Sequence, residues 1–246
     1  IVSLDFGCTG SMISKEGLLI TNHHCAYGDI FRLSTKDHNY LENGFWAMNR
    51  DEEKPIPDKN ALFLRKVIDV TAEVKAEREK LNKKGFHGMM MRRVYRMVET
   101  KYKSQYPGME CMCANMWSGE AFYMFVYEVF SDVRLVGAPP VSIGAFGGET
   151  DNWSWPQHKG DFAIYRVYTG KDGKPAKYSK DNVPMQPART LAISAAPKKM
   201  GDFAMIMGYP GRTNRYASSF EVEQKQNIIN PIVVEARRSR LNVWDK

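Results

Sequence analysis

The chain has 246 residues, 43% hydrophobic and 12% aromatic, which is enough apolar material for one large domain or two small ones. Its 35 Lys and Arg against 28 Asp and Glu leave a net charge of +7, which excludes disorder for the bulk of the chain. No run of about 18 uncharged apolar residues occurs, which excludes a helical membrane span. The chain opens at Ile1 without the charged and apolar regions of a leader, and stops at Lys246 inside a charged helical pattern. The expectation is a piece of something longer.

Residues 1–25 read as strand, turn, strand: Ile1–Leu4, then Thr9–Ser14, a turn at Lys15-Glu16-Gly17, and a return over Leu18–Thr21. Residues 26–60 read as loop, punctuated by Asp, Asn and Pro. Ala61–Val70 reads as strand. Thr71–Asn82 reads as helix anchored by Val74 and Leu81, and Met89–Lys103 as a second with Met90, Val94, Met97 and Val98 on one face. The segment 71–105 is thus a helical insertion in a β domain. Strands follow at Ala121–Phe130, Val133–Val136, Asp161–Tyr168, Leu191–Ser194 and Phe203–Gly208, and so many short strands predict a barrel or a sandwich. At Ser218 with Glu221 a capping box opens a helical pattern that Pro231 should kink. The predicted division is a β domain over 1–217 and the start of a helical domain over 218–246.

Between Thr71 and Lys103 there are ten Lys and Arg against four Glu, so this stretch carries +6 of the +7. No nucleic-acid motif accompanies it, and a solvated helix face accounts for it. The four cysteines, Cys8, Cys25, Cys111 and Cys113, fall into two local groups without zinc-type spacing. Two disulfides in an oxidising compartment are expected, Cys8–Cys25 tying adjacent strands and Cys111–Cys113 closing a tight loop. No cofactor is called for.

The segment Cys8-Thr9-Gly10-Ser11-Met12-Ile13, a hairpin turn, and Leu19-Ile20-Thr21-Asn22-His23-His24-Cys25 resembles the chymotrypsin-like serine proteases. There a strand-borne His before the second cysteine is the general base, and the resemblance makes His24 that base with His23 its neighbour. A carboxylate must orient the imidazole. Asp161 opens an apolar Asp-Phe-Ala-Ile-Tyr strand similar to the one carrying the protease carboxylate, and is preferred over Asp151, whose Gly-flanked loop suits turn capping.

Thr21-Asn22-His23-His24-Cys25, the block Gly147 to Phe162 with its Asn152-Trp153 pair, and Gly208-Tyr209-Pro210-Gly211-Arg212-Thr213 together resemble the bacterial S46 dipeptidyl-peptidases. That resemblance implies a double chymotrypsin-like β-barrel with a helical domain between the barrels, of which this chain carries the first barrel and the helical start. It implies that Asn152 and Trp153 hold the substrate's free N-terminal amine, and that substrates are peptides with a free N-terminus. It also implies the bacterial periplasm or cell surface. The stretches Ile1–Phe6 and Tyr40–Trp46 are similar to members preferring Asp or Glu at P1.

No Gly-x-Ser-Gly segment occurs, so two triad members are present, the nucleophilic Ser is expected in the remainder of the chain, and this piece alone should be inactive. Two other readings stand beside the peptidase: a protease-like module that only grips peptides, and a metal site from His23, His24, Cys25 and His158. Adjacent His residues on a strand face opposite ways, which disfavours the metal site. A monomer and a homodimer both remain open.

Overall fold

The computed structural model describes residues 1–85, 91–147, 158–209 and 216–245. They belong to two compact units, Ile1–Pro210 and Gly211–Lys246. In the first, β1 (Val2–Leu4), β2 (Cys8–Met12) and β3 (Leu18–Thr21) follow the predicted strand–turn–strand pattern. The turn needs Gly17, whose φ is +75° and where a Cβ would lie 2.6 Å from the Val167 carbonyl oxygen. Ser14 Oγ closes the turn by accepting the N–H groups of Glu16 and Leu18.

After β3 the structure departs from expectation. Residues 26–60, read as loop, contain most of α1 (His23–Leu33), then α2 (Tyr40–Asn43), β4 (Phe45–Trp46) and β5 (Lys54–Pro55). His23, Ala26 and Ile30 are buried at helical spacing. Reading His-His-Cys as the continuation of β3 hid that period. His24 therefore stands on the first turn of a helix rather than on a strand.

Next come β6 (Ala61–Asp69), α3 (Thr71–Lys83), α4 (Met91–Gln105), β7 (Met109–Met116) and β8 (Ala121–Phe130). They are followed by β9 (Asp132–Ala138), α5 (Val141–Gly144), β10 (Ala163–Thr169) and β11 (Val183–Pro184). The result is one mixed architecture, a large antiparallel sheet with helices, in the order β4-β9-β10-β3-β2-β1-β6-β8-β7, with β11 on β10 and β5 on β9.

Two apolar clusters hold it. Val2, Leu4, Leu19, Leu135, Tyr165 and Val167 belong to the first, which also takes in Ala26 and Ile30 of α1. The second lies under the helical insertion, where Val74, Leu81, Val94, Val98 and Tyr102 meet Phe122, Met124 and Val126. The buried stripe of α4 is Val94, Val98 and Tyr102, at i, i+4, i+8; Met97, expected on that face, is half exposed off the stripe. Met90 lies outside the described residues. Glu73 ties the two helices, bonded to Lys101 Nζ at 2.7 Å and accepting from Tyr102 Oη at 2.9 Å.

Cys111 and Cys113 are free and buried, which corrects the second expected disulfide. They occupy alternate positions on one face of β7, and an extended backbone holds such residues about 6.8 Å apart, at the limit of what a bridge spans. Burial pushes the Cys113 thiol up to about 11. The expected strands at Leu191–Ser194 and Phe203–Gly208 also do not form. Leu191 keeps one backbone bond, its N–H donating to the Met12 carbonyl at 2.8 Å, but no ladder follows, and with Leu191, Ile193, Phe203 and Ile206 all exposed neither segment has the covered face a strand needs.

In the second unit, α6 (Ser219–Gln224) starts with Ser218 Oγ accepting the Glu221 N–H. A π-helical turn over Lys225–Ile229 leads into α7 (Asn230–Trp244), in whose first positions Pro231 lies. The helical pattern is thus interrupted just ahead of Pro231, where the wider turn accommodates its missing N–H. Among the described residues no helix is long and apolar enough to cross a membrane.

One feature of the first core is polar. Asp29, on the inward face of α1, contacts Lys59 Nζ at 2.8 Å and Arg32 Nη2 at 2.6 Å, and accepts from Tyr165 Oη at 2.9 Å. The Asp29 and Lys59 side chains are 5% and 8% exposed. Burial alone would raise the Asp29 carboxyl; the bonds and charge of Lys59, then Arg32 and Tyr165, overcome it and hold it below the usual value.

Replacing Lys59 by Met should cost about 3 kcal/mol in denaturant unfolding at neutral pH, because it strips a buried carboxylate of its main partner. A group with a depressed folded pKa stabilises above its unfolded pKa and loses that contribution as pH falls through the folded value. The gap between wild type and Lys59→Met should therefore close in acid, and a gap independent of pH would contradict the pairing. Thiol titration should find Cys111 and Cys113 silent in the native protein and reactive on unfolding; fewer than these two thiols after unfolding without reductant would contradict their free state.

Candidate active site

The site follows from strand register. β10 runs antiparallel to β3 with Ala163 opposite Thr21, so the residues just before Ala163 meet those just after Thr21. Asp161 lies in the lead-in to β10 rather than in the strand itself, and its side chain is free to turn toward the start of α1. Its loop is pinned from the other side, where the Gly160 N–H donates to the Ile143 carbonyl of α5 at 2.9 Å.

Asn22 is the N-cap of α1, with extended backbone, but its side chain makes no capping bond. Asp161 does that work. Its Oδ1 accepts the His24 backbone N–H at 3.0 Å, and its Oδ2 lies 2.7 Å from His24 Nδ1. The Asn22 amide, freed from capping, donates to the Asp161 carbonyl and to Oδ2, each at 3.2 Å. A carboxylate only accepts, so in the neutral ring Nδ1 carries the hydrogen and Nε2 the lone pair. The His24 side chain is 67% exposed and that of Asp161 27%. Burial works to raise the Asp161 carboxyl, but the His24 N–H, ring and charge and the Asn22 amide prevail and hold it below its ordinary value.

Cys25, beside this pair, is bonded to Cys8, with the two Cα atoms 6.2 Å apart, and fastens the first turn of α1 to the start of β2. Since its sulfur is in a disulfide, it is not available as a thiolate ligand, which removes one member of the metal reading. His158 is exposed on the loop ahead of Asp161.

His23 points inward and is 1% exposed. Its ring packs against Gly144 of α5, where a Cβ would lie 2.5 Å from His23 Cγ, so glycine is required there. Burial holds the His23 pKa below 6.5, against the opposing pull of its hydrogen bond to the Pro139 carbonyl and the Asp161 charge. The two adjacent histidines thus differ in kind: one is a neutral packing group, the other an exposed ring on a carboxylate. An open groove of about 570 Å³ runs past Thr9, Thr21, Asn22 and Asp161.

Asp151, Asn152 and Trp153 lie outside the described residues. Asn22 and Gly144 went unassigned in the sequence. Asn before a helical stretch is a capping signal, but recognising it required seeing that α1 exists; for Gly144 no local signal was present.

The family model of peptidase S46 matches residues 1–246. The chain is 43% identical to the Asp/Glu-specific dipeptidyl-peptidase of Porphyromonas gingivalis, over 99% of its own length and 34% of that protein. It is 40% identical to dipeptidyl-peptidase 7 of the same species, over 99% of this chain and 34% of that one. The crystal structure of Porphyromonas endodontalis DPP11 in complex with substrate matches with a TM-score of 0.87 at 42% identity, covering 99% of this chain and 36% of that chain. The same protein with the dipeptide Arg-Glu matches at 0.85 and 43% identity, covering 95% and 34%. The chain thus spans about a third of the length of these relatives. With a match running from its first residue to its last, this chain belongs to the peptidase S46 family.

Proposed function

We propose that this chain supplies the general base, His24, and its orienting carboxylate, Asp161, to a serine peptidase that releases dipeptides from free N-termini. The observation that carries this is the 2.7 Å contact between His24 Nδ1 and Asp161 Oδ2, which leaves Nε2 as the acceptor on an exposed ring. The nucleophilic Ser comes from the remainder of the polypeptide, since no Gly-x-Ser-Gly segment lies here. In this reading Nε2 takes the proton of the Ser hydroxyl as its oxygen attacks the scissile carbonyl. Asp161 stabilises the imidazolium, which returns the proton to the leaving amine. Water then repeats the cycle on the acyl-enzyme.

The large antiparallel sheet serves as the first of two chymotrypsin-like barrels, over 1–217, and 218–246 begins the helical domain. Asn152 and Trp153 hold the substrate ammonium, an amide oxygen and an indole face being suited to it. Acidic P1 residues are favoured, a reading supported by the Asp/Glu-specific relative and by the Arg-Glu and Arg-Asp complexes of the Porphyromonas endodontalis protein. The Cys8–Cys25 bridge supports a periplasmic or surface location.

In the full-length enzyme, His24→Ala should remove dipeptide release by at least about 10⁴-fold. Asp161→Asn should act through the tautomer. The His24 backbone N–H can only donate, so the amide oxygen takes the Oδ1 position and the NH₂ group faces Nδ1. The ring hydrogen then moves to Nε2 and the base is lost, lowering kcat by about 10⁴-fold with KM nearly unchanged. Full activity in either variant would end the proposal, and intact peptide binding without hydrolysis in the wild-type enzyme would favour the gripping module instead.

A further inference from the structure

The inward face of α1 carries an anomaly that the proposed chemistry does not use. Ala26 and Ile30 are buried apolar residues, and Asp29 between them is a buried charge. A leucine in that place would pack without the desolvation cost of a carboxylate. Asp29 is held by Tyr165 of β10, itself fully buried, through the Tyr165 Oη bond at 2.9 Å. Tyr165 follows Asp161 by four residues on the same run of chain, and Asp29 follows His24 by five on the same helix. Helix and strand are therefore joined twice: by His24 with Asp161 at the first turn of α1, and by Asp29 with Tyr165 more than a turn further on.

The second joint matters because of where the first attachments lie. The His24–Asp161 contact and the Cys8–Cys25 bridge both act on the first turn. Attachment at one end of a rod leaves it free to swing. Apolar contacts of Ala26 and Ile30 resist separation but are non-directional and permit sliding. A hydrogen bond to a charged acceptor is directional, and placed along the rod it removes the swing. Lys59, 2.8 Å from Asp29 and also 3.1 Å from Asp5, neutralises the carboxylate so that it can remain buried.

We propose that Asp29 and Tyr165 are positioning residues that fix the angle of α1 on β10, and with it the place of the His24 ring relative to Asp161 and to the incoming nucleophile. This rests on the assignment of His24 and Asp161 above. Displacement of a base by even 1 Å from its productive geometry costs up to about 10²-fold in rate, and the loss of one clamp of two is expected to cost about tenfold.

The test uses the full-length enzyme and a matched control on the same strand. Tyr168, also buried, donates from Oη to Glu53 at 2.7 Å, an equivalent tyrosine-to-carboxylate bond with no part in holding α1. Tyr165→Phe should lower kcat about tenfold with KM within twofold of wild type, whereas Tyr168→Phe should leave kcat within twofold at a comparable loss of Tm. A second variant separates position from stability. The apolar set Asp29→Leu with Lys59→Met and Tyr165→Phe removes the clamp and the buried charges together, a kind of exchange that often preserves or raises stability; it should show an undiminished Tm and the same tenfold loss of kcat. Equal effects of Tyr165→Phe and Tyr168→Phe, or a stable apolar variant with wild-type kcat, would overturn the proposal. His24→Ala distinguishes the two levels: if it stays active the peptidase assignment itself fails, and if it is inactive while Tyr165→Phe is unimpaired only the positioning role fails.

Discussion

Everything at the candidate site depends on one carboxylate satisfying two different donors from the same helical turn. The first N–H groups of a helix have no partner within it and must find an acceptor outside. In α1 the residue before the helix does not provide one, and Asp161 does. Its second oxygen takes the ring hydrogen of His24. The group that caps the helix is thus the group that orients the imidazole. The positive end of the helix further favours the charged state of that carboxylate.

Burial of charge is repeated across β10, and each time it joins an element to that strand. On one side Asp29 and Lys59 meet Tyr165; on the other Glu53 receives Arg166 Nε at 2.8 Å and the Tyr168 hydroxyl. Such pairs are costly to dehydrate and contribute less net stability than apolar packing of the same volume. Of the two, only the Asp29–Tyr165 bond reaches α1; Asp161 is brought to the start of that helix by the Ala163–Thr21 pairing of β10 with β3.

The two residues that meet were named from the sequence through its resemblance to the chymotrypsin-like proteases, carried by the His24-Cys25 step and by the apolar stretch that follows Asp161. The secondary structure around His24 was not legible. Gly28 and two histidines dilute the helical period of residues 23–33, and a short apolar strand immediately before them invites extension of the wrong element. The helical insertion was legible because its anchors Val74, Leu81, Val94 and Val98 stand out among charges, although Tyr102, not Met97, completes the stripe. The expected strands at Leu191–Ser194 and Phe203–Gly208 failed because their apolar side chains stay exposed and the single Leu191–Met12 backbone bond is not extended into a ladder. Cys111 and Cys113 were grouped by closeness in sequence, which in an extended chain is the wrong measure of reach. Asp29 was invisible for a physical reason: a single acid in a polar-looking segment signals solvent until its burial is seen.

The hydrogen on the His24 ring is the most direct witness. Nitrogen NMR of the full-length enzyme, in the neutral form of that imidazole, should show Nδ1 protonated and Nε2 bare, with the Nδ1 proton shifted downfield by its carboxylate partner and this signature lost in Asp161→Asn. A neutral ring protonated at Nε2, or a spectrum indifferent to the loss of the Asp161 charge, would contradict the account.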